Sequence, residues 1–143
     1  MKIYPIEVVR HELAHAVGSA FGGNCSEVRV FRPEGFDGLE TEVVTFDGMD
    51  GHDILNGLIG GLFSIDGVDI TSDLAMLEML NLPPVEQLIK QNPELVQAVD
   101  AIEDSAVMEA YALLSCFPEI IVSFDGPKIT GIIGRDPERK QAG

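Results

Sequence analysis

The sequence predicts an α+β fold, predominantly α-helical, with a small β-hairpin or sheet packed beside its first helix. Three observations predict it. Apolar residues recur at helical spacing through most of the chain beyond residue 50. Prolines and small polar residues stand where those stretches begin. Strand-like alternation is concentrated between about Glu27 and Phe46. At 143 residues and 45% hydrophobic content, one domain with a substantial core is expected over residues 1–134, followed by a polar tail at 135–143.

The first helix is expected from about Pro5 to Phe21. Pro5 suits a first turn, Glu7 sits where the helix dipole favours a carboxylate, and Gly22-Gly23-Asn24 stops the helix. At about 100° per residue, Ile6, Val9, Leu13, Ala16, Val17 and Ala20 form one apolar stripe. His11 and His15 fall on the opposite side with Val8, Gly18 and Ser19, and the small Gly18 and Ser19 would leave room beside the imidazoles for a metal, a water and a substrate.

The strand-like stretches "SEVRVFRP" and "ETEVVTF" flank the turn "PEGFDG" and form a hairpin. A glycine-bearing helix then runs from about Asp53, its expected cap, to Ser64, with Asp66-Gly67 as its stop. Another begins near Thr71 or Ser72, carries "DLAMLEML" and ends before Pro83-Pro84. Helical spacing resumes in "PPVEQLIKQ" and in "PELVQAVDAIEDSAVMEAYALLSC", each opened by proline. "PEIIVSF" reads as a short helix and "PKITGIIG" as a closing strand or turn.

Nine Lys and Arg against 24 Asp and Glu give a net charge of −15, which argues against binding a nucleic-acid backbone or an anionic membrane surface. The N-terminus has no apolar signal-peptide core, and the longest apolar run, "ILNGLIGGLFSI", is interrupted by Asn56 and Ser64. A cytoplasmic protein is expected. Cys25 and Cys116 lie far apart without a Cys-x-x-Cys partner, so neither a disulfide framework nor a thiolate metal site is indicated.

The stretch that carries chemistry is "HELAH". His11 and His15, four apart on a helix, share a face and can reach one metal ion, with Glu12 beside them as a general base. A catalytic zinc site takes three protein ligands and keeps one position open. The metzincin extension fails, because Phe21 stands where its third histidine would be. A thermolysin-like Glu-x-x-x-Asp helix is weakened, because no glutamate in the chain is followed by aspartate four residues later. The remaining candidates are Asp73 in the first turn of a helix, His52 in a glycine-rich turn, and Glu78.

Four segments in order, over residues 6 to about 80, resemble the zinc peptidase domain of FtsH-type AAA+ proteases and their stand-alone relatives. They are the "HELAH" helix, the strand-turn-strand "SEVRVFRPEGFDGLETEV", the glycine-pair helix "GLIGGLF", and "GVDITSDLAM". The resemblance implies His11, His15 and Asp73 as zinc ligands and Glu12 as general base. The chain departs from the family in carrying no ATPase module and no membrane anchor, and in having Ser64 and Ile65 where acidic residues usually follow the glycine-pair helix.

The expected function is therefore zinc-dependent peptide hydrolysis acting on peptides or unfolded segments. Two alternatives stay open. One is a zinc-binding or scaffolding module without turnover; the other is an acidic protein-binding module without metal.

Overall fold

The computed structural model describes residues 4–36 and 38–137. The expected turn at "PEGFDG" includes Asp37, and the expected tail includes residues 138–143; these lie outside the described residues. The elements in chain order are α1 (Ile6–Ala20), β1 (Cys25–Phe31), β2 (Glu40–Phe46), α2 (Gly51–Gly61), α3 (Thr71–Met79), α4 (Val85–Gln91), α5 (Pro93–Asp100), α6 (Asp104–Cys116), β3 (Glu119–Asp125) and β4 (Lys128–Arg135). No helix among the described residues is long and apolar enough to cross a membrane.

The predominantly helical expectation is corrected. The fold is α+β, but its sheet is a full antiparallel layer of four strands in the order β2-β1-β3-β4. "PEIIVSF" forms β3 and not a helix. Its run of Glu119, Ile120, Ile121 and Val122 is buried on both faces, so it shows none of the alternation that marks a half-exposed strand. The β-branched Ile120, Ile121 and Val122 fit a pleated, packed surface. β3 pairs with β1 through Val28↔Val122 and turns into β4 at Gly126-Pro127, where Gly126 at φ 59° supplies the positive φ of a two-residue hairpin loop.

Opposite the helical face, the Glu119 carboxylate is buried and paired with two arginines. Arg29 Nη1 lies 3.3 Å from Oε1, and Arg135 Nε donates to Oε2 at 2.6 Å. Removing one partner of such a buried group is costlier than the pair's net contribution. Arg135 thus closes β4 one residue beyond the expected domain boundary.

α1 lies across β1, β2 and β3 and also packs on α2, α5 and α6. Val9, Leu13 and Val17 from α1, Val28 and Val30 from β1, and Ile120 and Val122 from β3 meet in the core. Each such side chain contributes about 1.5–3 kcal/mol by leaving water. The long helical stretch after Pro93 is interrupted at residues 101–103, giving α5 and α6. α2 begins before the expected Asp53: the side chain of Asp50 accepts from the backbone N–H of His52 and Asp53, and Asp53 returns a bond to the Asp50 N–H. Asp53 also accepts from Asn24 Nδ2 at 3.0 Å, tying the end of α1 to the start of α2.

Candidate metal centre

α1 carries His11, Glu12 and His15, and all three are covered: His11 and Glu12 are buried and His15 is half-buried. The expected stripe is in the core, with Val9, Leu13, Ala16, Val17 and Ala20 all buried, but the side that carries the histidines is covered as well and not open. The second face of α1 is buried by α2 and approached by β2. Gly18 does not leave room for a ligand. A Cβ there would lie 2.0 Å from the Asn56 carbonyl oxygen, so its missing side chain is what lets α2 approach. Gly60 repeats the contact from the other helix, where a Cβ would lie 2.7 Å from the Ala14 carbonyl oxygen.

This close approach orients the imidazoles. His15 Nδ1 donates to the Gly57 carbonyl at 2.8 Å, and His11 Nδ1 donates to the Ser64 carbonyl at 2.9 Å. A carbonyl can only accept, so each Nδ1 carries the proton, and each neutral ring then offers a lone pair at Nε2. Gly61 leaves the His15 ring its place, since a Cβ there would lie 2.3 Å from Nε2. The rings meet edge to face with centroids 4.6 Å apart.

The two Nε2 atoms stand 3.1 Å apart. Asp73, in the first turn of α3, brings Oδ2 to 3.0 Å from His11 Nε2 and Oδ1 to 3.6 Å from His15 Nε2. Three acceptor atoms therefore converge within 4.8 Å, close enough to hold one metal ion. Such a cluster is held together only by a cation, whether a metal ion or a proton taken up by an imidazole. Two imidazole nitrogens and a carboxylate oxygen form an N/O donor set that suits zinc and related divalent ions. The residues present fit a metal.

The protonation tendencies agree with a site built for positive charge. Burial pulls the His15 pKa down, but the bond to the Asp73 carboxylate and the charges of Glu12 and Asp73 outweigh it and raise it above the ordinary value. For Asp73 burial acts upward, and the two imidazoles outweigh it, holding the carboxyl far below the usual carboxylate range. Glu12 is raised, first by burial, against the lowering effects of His15, Thr41 and His11.

Of the expected ligands, the structure brings together His11, His15 and Asp73. His52 stands exposed at the start of α2 and Glu78 exposed on α3; neither is in the cluster. Thr41 was not singled out by the sequence. From β2 its hydroxyl donates to Glu12 Oε2 at 2.5 Å. Thr41 lies in the "GLET" of the strand-turn-strand segment, but nothing there assigns it a role, because the bond joins a strand to a helix 29 residues away. Compared with protein-family models, with curated proteins and with solved structures, the chain finds no match.

Proposed function

We propose that the chain is a zinc-dependent metallopeptidase of the His-Glu-x-x-His type. The observation that carries this reading is the convergence of His11 Nε2, His15 Nε2 and an Asp73 oxygen, with the carboxylate of Glu12 next to them in sequence and buried beside them. His11, His15 and Asp73 would hold the ion, three protein ligands being the number that leaves a position open for chemistry. Bound zinc supplies a Lewis acid and makes water acidic enough to lose a proton near neutrality.

Glu12 accepts that proton at a carboxylate oxygen and delivers it to the leaving amine nitrogen. A carboxyl raised by burial suits both halves of the transfer, because its proton affinity lies nearer the working pH than that of an exposed glutamate. A peptide fits the neighbouring surface. β2 is an edge of the sheet, and its Thr41 touches Glu12, so an extended chain added to β2 would run beside the base. The resemblance of "HELAH", "GLIGGLF" and "GVDITSDLAM" to FtsH-type peptidase segments supports the same assignment. Free thiols at Cys25 and Cys116 suit a reducing, cytoplasmic setting.

Three variants test the proposal, assayed for bound zinc and for cleavage of an unfolded casein-like substrate. Glu12→Gln is expected to keep stoichiometric zinc and lose hydrolysis, because an amide cannot take the proton. Asp73→Ala is expected to lose zinc affinity by more than the roughly 10–100-fold that outer-layer changes cost. His52→Ala is expected to change neither. A wild type that binds zinc yet cleaves nothing would make the chain a silent zinc module, and one that binds no metal would favour an acidic protein-binding module.

A further inference from the structure

We propose that Thr41 is the positioning residue for Glu12, holding one oxygen of its carboxylate so that the other alone faces the reaction. This rests on the peptidase reading of the site. Glu12 has three rotatable side-chain bonds and is buried, yet Thr41 is the one side-chain donor that reaches its carboxylate among the described residues. The hydroxyl has a single proton, and at 2.5 Å from Oε2 that proton is committed to Glu12. Oε1 is left for proton transfer.

Thr41 is suited to this by its place in the strand. Along β2, Thr41 and Val43 are half-buried toward the helical layer, while Glu40, Glu42 and Val44 are exposed. Branching at Cβ restricts the threonine's χ1, so its hydroxyl is fixed by the strand's pleat and register. The register is set by antiparallel pairing of β2 with β1, in which Thr41 lies opposite Val30. The base is thereby tied to the same edge strand that offers main-chain groups to an extended peptide, and one hydroxyl relates substrate docking to the orientation of the proton acceptor.

A misplacement of about 1 Å in a catalytic group can lower a rate by about 100-fold. Thr41→Val removes the hydroxyl at nearly constant shape, and Thr41→Ser restores it. In steady-state cleavage of an unfolded casein-like substrate, Thr41→Val is expected to lower kcat by roughly 10–100-fold with KM and bound zinc unchanged. Thr41→Ser is expected to return kcat to within a few-fold of wild type. High-resolution structures of the zinc-loaded proteins give a readout independent of turnover: one Glu12 carboxylate orientation in wild type and Thr41→Ser, several in Thr41→Val. A single, unchanged Glu12 orientation in Thr41→Val overturns the inference, whether or not the wild type cleaves peptide. So does a kcat within about threefold of an active wild type, or equal impairment of Thr41→Val and Thr41→Ser. A wild type that cleaves nothing overturns the peptidase reading instead, and the Glu12 orientations still decide for or against Thr41.

Discussion

The two helices that bring together His11, His15 and Asp73 are built in opposite ways. α1 is covered nearly all round: Leu13 is 1% exposed, and even His11 is 4% exposed. α3 buries only Leu77, and leaves Met79 71% and Leu74 44% exposed. One side of the site is thus part of the core, with its imidazoles fixed by carbonyls of α2 and of the segment after it, while the other side is a single carboxylate on a lightly packed helix. The difference teaches where each kind of damage should appear. Changes in α1 and α2 should register in folding and ligand geometry, whereas changes in α3, apart from Asp73 and Leu77, should register little.

The largest effect is expected at Leu13. Leu13→Ala should lower unfolding free energy by about 2–5 kcal/mol, since it empties a fully buried position in a helix that cannot easily collapse onto it. Chemical denaturation of the metal-free protein measures this. A cost under about 0.5 kcal/mol would mean that α1 is not the core element described.

A smaller effect, seen in metal binding, is expected at Gly61. Gly61→Ala would place a methyl against the His15 ring and displace it from its bond to Gly57. Zinc affinity should fall by roughly 10–100-fold, the usual range when an outer-layer contact to a ligand is lost. Calorimetric titration with zinc would show it, and an unchanged affinity would mean that the His15 orientation does not depend on α2.

Acidity should act on the two helices through the groups they share. In the metal-free protein the raised His15 pKa contributes stability that is present below about 6.5 and lost as pH rises through the folded value. The depressed Asp73 pKa contributes stability present above its ordinary value and lost as pH falls through the folded value. The pairing of α1 with α3 is therefore strongest in mild acid. Zinc runs the other way, because it must displace the His15 proton, so as pH is lowered its affinity should begin to drop while the pH is still above about 6.5. Titrations across pH 5–8 check this, and a flat affinity over that range would contradict it.

The smallest effect is expected on the outer face of α3. Met79→Gln should change stability by no more than about 0.5 kcal/mol and leave zinc affinity as it was. A large loss on thermal or chemical unfolding would show that α3 is more firmly packed than its exposure indicates.

What the sequence made legible follows the same division. The helix around "HELAH" was readable because its breakers and capping residues are local, and the hairpin was readable because β1 and β2 alternate. By spacing, Asp73 was one of three candidates, since a ligand 58 residues beyond His15 leaves no spacing rule to choose it, and it was the resemblance to FtsH-type segments that singled it out. β3 was misread because a strand buried on both faces has the same apolar run as a short buried helix. The core stripe of α1 was legible, but the cover over its histidine side was not, because a hydrophobic wheel shows no sign that Gly18, Gly57 and Gly60 let a second helix approach there. Thr41 fell within the "GLET" of the strand-turn-strand segment, but its role was not legible there, because it depends on the register of β2 and on its distance from α1.

The proposed metal site is tested most directly by crystallising the protein loaded with zinc and collecting anomalous diffraction at the zinc edge. The account predicts one strong peak at about 2.0–2.2 Å from His11 Nε2, His15 Nε2 and an Asp73 carboxylate oxygen, joining α1 to α3. A peak without Asp73, a peak at His52, or no peak between the two helices would contradict it.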